Sequence, residues 1–136
     1  MYLVDTSVLA RSNAPAVDER LEPLIKSGLV AVCAVVELEV GVTARSPAMY
    51  RENDAVFAAA FARAPIEEPV VRRALQVQAA LAERSQHRGV PVNDLVIAAC
   101  AERGGLTVLH YDADFDTIAQ VTGQPMEWIV PRGTVD

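Results

Sequence analysis

Short apolar runs alternate with stretches whose apolar residues recur every three or four positions, and this pattern continues along the 136-residue chain. Tyr2 to Val4 reads as a buried strand. Asp5, Thr6 and Ser7 follow it directly, and a helical pattern then begins at Val8, Leu9 and Ala10. Pro15 opens an amphipathic helix with Val17, Leu21, Leu24 and Ile25 at helical spacing, and Gly28 stops it. Leu29 to Cys33 predicts a second strand, and Val35 to Ala44 a helix carrying Glu37 and Glu39. Beyond Pro47 the pattern predicts a long helix over about residues 47–64, through Met49, Val56, Phe57 and Phe61. Another runs from about Pro69 to Gln86 with Val71, Leu75, Gln78 and Leu81 on its apolar side, so that the two read as an αα hairpin. Pro91 introduces a helix from Val92 to Glu102, closed by Gly104 and Gly105. Leu106 to Leu109 predicts a third strand, Asp112 to Val121 a short helix and Met126 to Val130 a last strand. Strands alternating with helices predict an α/β fold, an α/β/α sandwich with a small, mostly parallel central sheet.

Composition narrows this picture. The length suits one domain spanning residues 1–136, large enough to bury roughly two-thirds of its unfolded surface. Apolar residues make up 51% of the chain and aromatics only 5%, which suits closely packed, alanine-rich helices rather than disorder. No stretch approaches the ~20 apolar residues of a membrane span, and the start of the chain lacks a basic segment followed by an apolar one. The expectation is therefore a cytoplasmic protein. Cys33 and Cys100 both lie in apolar runs and are expected as buried thiols.

The net charge of −6 argues against generic, salt-driven nucleic-acid binding, which wants a basic surface. It is compatible with a nucleic-acid enzyme in which clustered carboxylates hold divalent metal and the metal receives the phosphate. The acids fall in suggestive places. Asp5 follows the first strand, Glu37 stands near a helix start after the second, Asp94 lies in a first helical turn, and Asp112 follows the third, with Asp114 and Asp116 close behind. Each alone is explained by helix capping or the helix dipole. Four or five of them at one end of neighbouring strands would repel strongly without cations. Mg²⁺ or Mn²⁺, which take oxygen ligands, explain their joint placement better. Such ions could activate a water and stabilise the leaving oxygen of a phosphodiester.

Rival motifs fail on particular positions. Asp112 to Asp116 begins like an EF-hand loop, but Thr117 stands where the loop needs glycine and Gly123 where it needs the closing glutamate. No phosphate-binding glycine loop is present, and His87, His110, Cys33 and Cys100 lack zinc-finger spacing.

Four segments carry a resemblance: Leu3 to Leu9, Glu37-Leu-Glu-Val-Gly41, Val92 to Ala99, and Leu109 to Phe115. Together, in this order and spacing, they resemble the PIN-domain ribonucleases of the VapC toxin type across nearly the whole length. The resemblance places the family's acids on Asp5, Glu37, Asp94 and Asp112, with Asp114 contending for the fourth place and Glu39 read as a surface neighbour. In the fourth segment one spacer residue is missing, and His110 stands where the family usually has a hydroxyl residue. The resemblance implies a PIN-like fold, homodimerisation, Mg²⁺- or Mn²⁺-dependent cleavage of RNA by a metal-activated water, and inhibition by a VapB-type antitoxin. The alternative is a catalytically silent protein of the same fold, acting as a protein- or RNA-binding module. Thr6 and Ser7 would either orient a ligand or cap a helix. Arg11, Arg45, Arg72, Arg73, Arg84 and Arg88 could grip RNA phosphates or simply form a solvated face.

Overall fold

A computed structural model describes residues 1–136. Five strands, β1 (Tyr2–Val4), β2 (Val30–Val32), β3 (Ala62–Arg63), β4 (Thr107–His110) and β5 (Met126–Trp128), form one sheet in the order β3-β2-β1-β4-β5. Every neighbouring pair is parallel. Seven helices connect them: α1 (Thr6–Leu9), α2 (Pro15–Lys26), α3 (Ala34–Val42), α4 (Pro47–Ala60), α5 (Glu68–Glu83), α6 (Val92–Gly104) and α7 (Asp114–Thr122).

The central strands β1, β2 and β4 read as largely apolar runs because both faces of the sheet are covered there. Successive residues serve opposite layers. Leu3 and Val108 belong to the larger apolar cluster, with residues of α3, α5, α6 and α7. Val4 and Leu109 belong to the smaller one, with Val8, Val17 and Leu21 from α1 and α2. This is the expected α/β/α arrangement, and its sheet is wholly parallel. Both cysteines are free and buried, as their apolar settings predicted.

The segment between residues 60 and 91 departs from expectation. The predicted helix over 47–64 stops at Ala60, Phe61 turns extended, and Ala62–Arg63 adds a fifth strand at the edge beside β2. Pro65 helps to explain this, since it disfavours helical backbone in the residue before it. A two-residue strand of small and charged side chains leaves no apolar signature. The αα hairpin therefore does not form; α5 packs along α6 and α7 instead. Its inward face is Val70, Ala74, Val77 and Leu81; Leu81 is as predicted, but the other three stand one residue ahead of the predicted Val71, Leu75 and Gln78, and Val71 and Leu75 are exposed. In mid-helix the smaller side chain faces in, Ala74 rather than Leu75, where α5 lies along the alanine-rich α6. Gly41 makes a comparable close approach between α3 and α4, where a Cβ would lie 2.9 Å from the ring of Tyr50.

From β1 the chain steps outward through β2 to β3, then returns to place β4 on the other side of β1. The crevice beyond the carboxyl ends of β1 and β4 is where a doubly wound sheet leaves room for a ligand.

Candidate metal centre

Asp5 sits at that crevice, immediately after β1. Its backbone N–H extends the β1–β4 ladder by donating to Leu109 O at 2.9 Å, which pins the residue to the end of β4. Its side chain caps α1, accepting from the Ser7 N–H at 2.8 Å, and is 4% exposed. The cap is Asp5, and the hydroxyls of Thr6 and Ser7 reach other elements instead. The Thr6 hydroxyl donates to the Glu39 carboxylate at 2.8 Å, and the Ser7 hydroxyl accepts from the backbone N–H of Tyr111 at 2.8 Å. The turn after β1 is thereby tied both to α3 and to the turn after β4.

The turn after β4 is similarly fixed. The Asp112 N–H donates to Nδ1 of His110 at 3.2 Å, and the Asp114 N–H donates to Oδ1 of Asp112 at 2.9 Å. Facing it, Asp94 stands in the first turn of α6 and is 7% exposed. Carboxylate oxygens of Asp94, Asp112 and Asp114 all lie within 4.8 Å of one another.

The charges in this crevice are strained. Burial, and then the nearby charges of Asp5, Asp112, Asp114 and Glu39, push the Asp94 carboxyl up to about 7. Burial also raises Asp5, against the opposing hydrogen bonds from Ser7 and with a further push from Glu39. Asp114 is raised by burial and by Asp112. Burial pushes His110 down, which keeps its imidazole neutral and leaves Nδ1 free to accept.

Of the acids predicted from sequence, Asp5, Asp94, Asp112 and Asp114 converge here. Glu37 does not. Its carboxylate forms a two-pronged ion pair with Arg63, at 2.8 and 2.9 Å, in a hollow lined by Leu38, Tyr50 and Asp54. Glu39, read from sequence as a surface neighbour, is the glutamate of α3 that stands beside the crevice: it accepts from the Thr6 hydroxyl, and its charge acts on both Asp5 and Asp94. The helical period carries the signal that was missed. Glu39 is three residues after the buried Val36, on the face that α3 turns inward, whereas Glu37 lies to the side.

Oδ2 of Asp94 is buried with no hydrogen-bond partner. A buried carboxylate oxygen left unpaired among like charges is costly. A hard divalent cation fits the donors present, which are carboxylates with neither thiolate nor imidazole among the converging oxygens. Of the arginines considered for phosphate contact, Arg72 and Arg73 are engaged with Glu68 and Glu102. Arg11 lies near the crevice, over the ring of Tyr111 at 4.7 Å and donating to Ser7 O at 2.8 Å.

Comparison with known proteins gives a consistent picture. A family model described as PIN domain matches residues 2–121. The chain is 50% identical over 135 residues to Ribonuclease VapC51 of Mycobacterium tuberculosis, covering 99% of this chain and 97% of that protein. It is 44% identical over 133 residues to Ribonuclease VapC21 of the same organism, covering 98% and 96%. Among solved structures it is similar to VapBC2 from Rickettsia felis, crystallised with a DNA fragment from the promoter, with a TM-score of 0.75 at 16% identity over 93% of this chain and 96% of the other. VapBC-5 from Mycobacterium tuberculosis, a member of the VapBC family of toxin–antitoxin systems, aligns with a TM-score of 0.60 at 26% identity over 93% and 94%.

Proposed function

The chain belongs to the PIN-domain family, and from that premise we propose that it is a Mg²⁺- or Mn²⁺-dependent endoribonuclease, the toxin of a toxin–antitoxin pair restrained by a VapB-type antitoxin. The observation that carries the chemistry is the unpaired, buried Oδ2 of Asp94 among converging carboxylates at the strand-order switch. Asp94, Asp112 and Asp114 would hold the cation, with Asp5 and Glu39 completing the negative rim. A divalent ion bound there supplies Lewis-acid polarisation of a phosphodiester and eases deprotonation of water.

The protein's own groups prepare the site. Ser7 N–H orients Asp5, the Thr6 hydroxyl orients Glu39, and the Asp114 N–H fixes one oxygen of Asp112 so that the other is free to bind. Asp94, lifted to about 7 by burial and its acidic neighbours, would be among the residues holding the cation and would bind it deprotonated. With a net charge of −6, RNA would be drawn by the bound metal and by individual arginines such as Arg11 rather than by a basic surface.

Residues 1–136 would work as one PIN domain. Beyond residue 121, where the family match ends, β5 still pairs with β4 and completes the sheet. A homodimer would cover apolar side chains such as Leu38 and Val42 on α3, which are 65% and 87% exposed. No helix is long and apolar enough to cross a membrane.

The test is cleavage of RNA by the purified chain with Mg²⁺ or Mn²⁺, against excess EDTA and against Asp94→Asn, with single-stranded DNA as competing substrate. Cleavage that survives both chelation and the substitution overturns the mechanism. A folded protein that binds its antitoxin and cleaves nothing points to a silent binding module.

A further inference from the structure

The turn carrying Asp112 and Asp114 begins at His110, and a ring nitrogen of His110 closes its first step: Nδ1 accepts the backbone N–H of Asp112, two residues on, at 3.2 Å. The ring is fully buried between Phe115 and Trp128, at centroid distances of 5.2 and 5.0 Å, so it has little freedom to move. Trp128 in turn donates its indole N–H to Asp116 at 3.2 Å, which fixes the far side of the same cluster.

Packing alone does not account for a histidine here. Nε2 is buried without a hydrogen-bond partner; the carboxylate facing it, Oδ1 of Asp116, is 3.9 Å away and outside bonding range. An apolar side chain of similar size would fill the space without stranding a polar atom. What only an acceptor can do is hold the Asp112 N–H, and that bond sets the start of the turn in which Asp112 then receives the Asp114 N–H.

We propose that His110 is a positioning residue for the cation site, its Nδ1 holding the turn so that the Asp112 and Asp114 carboxylates meet that of Asp94. This rests on the reading of those three acids as the metal-binding set.

Leu and Asn share a four-atom side chain branched at Cγ, and only Asn brings an acceptor at the reach of Nδ1. His110→Leu and His110→Asn, made in the full chain, therefore separate packing from positioning. Three quantities are measured: thermal midpoint, hydrogen exchange of the Asp112 amide in EDTA, and Mn²⁺ affinity by calorimetry. His110→Leu is expected to melt no lower than His110→Asn, yet to lose protection at Asp112 and bind Mn²⁺ roughly 10-fold or more weakly, as residues that orient metal ligands do. His110→Asn is expected to keep both protection and affinity near the parent's. If His110→Leu does not fold, His110→Phe keeps the aromatic packing, lacks the acceptor and carries the same expectation.

Parent-like Mn²⁺ affinity in the Leu or Phe variant overturns the proposal, as does affinity that follows melting temperature instead of the acceptor. Impaired binding in Asp94→Asn alongside unimpaired binding in His110→Leu would sink this inference alone. If Asp94→Asn also binds Mn²⁺ like the parent, the metal-site reading falls and takes this inference with it.

Discussion

Removing one charge from the crevice should make the metal-free protein more stable while disabling it. The perturbation is Asp94→Asn. The Asp94 carboxyl is lifted from its ordinary 3.8 to about 7, chiefly by burial and then by its acidic neighbours. Because the folded value lies above the unfolded one, the native state keeps a proton that the unfolded chain releases between about pH 4 and pH 7. Stability without metal therefore falls as pH rises through that window and stays low above it. At roughly 1.4 kcal/mol per pKa unit, the full penalty is about 4 kcal/mol. Asparagine removes it but buries an unpaired amide at a cost of about 1–3 kcal/mol, leaving a net gain of about 1–3 kcal/mol at pH ~8. That is several degrees in Tm, since 1 kcal/mol moves the midpoint by roughly 2–8 °C in domains around this size. The assay is thermal unfolding in EDTA from about pH 4 to pH 8, repeated with saturating Mg²⁺. The parent should lose stability with rising pH and recover it with Mg²⁺, because a ligand that binds only the folded state stabilises it. The variant should be flatter with pH and gain little from Mg²⁺. Parallel pH curves for the two proteins, or equal stabilisation by Mg²⁺, would refute the reasoning.

The two glutamates of α3 offer a sharper discrimination. Glu39→Gln should abolish metal-dependent RNA cleavage, whereas Glu37→Gln should leave it intact and cost at most about 1 kcal/mol, the worth of a partly exposed pair with Arg63; cleavage rates and melting curves of both variants decide it. Ser7→Ala strands the Tyr111 N–H and should lower stability by about 1–3 kcal/mol and weaken Mn²⁺ binding, with denaturant unfolding and calorimetry as the checks. Excess EDTA should stop cleavage, and added Mn²⁺ should restore it in a gel assay on labelled RNA.

How far the chain could be read in advance depended on how many residues carried each signal. Strands such as Tyr2–Val4 and Val30–Val32 are covered on both faces, and that burial writes an uninterrupted apolar run into the sequence. The edge strand Ala62–Arg63 is two residues long and exposed, so it owes its place to pairing with β2 and has no pattern of its own. The inward face of α5 was misread for a related reason. Hydrophobic size favoured Leu75 over Ala74, but α5 lies along α6, whose buried residues include Ala98, Ala99 and Ala101, and close approach favours the smaller side chain.

The acids illustrate the difference between finding a site and assigning it. That carboxylates would gather at strand ends was legible because Asp5, Asp94, Asp112 and Asp114 all fall at element junctions, where topology alone brings them together. The choice between Glu37 and Glu39 was not a junction question. Both lie on one short helix, two residues and therefore about 200° apart, so one can enter the crevice only if the other leaves it. A spacing motif cannot choose between them, and the surrounding partners do. Arg63 arrives on β3, the strand the sequence concealed, and pairs with Glu37 on the flank; Thr6 arrives beside Asp5 and receives Glu39 within. The concealed strand and the choice of glutamate are thus one question. Swapping the charges of the flank pair, with Glu37→Arg and Arg63→Glu made together, tests the link. A flank ion pair should survive the exchange with the site undisturbed, and loss of Mn²⁺ affinity in that double variant would mean that Glu37 belongs to the metal centre after all.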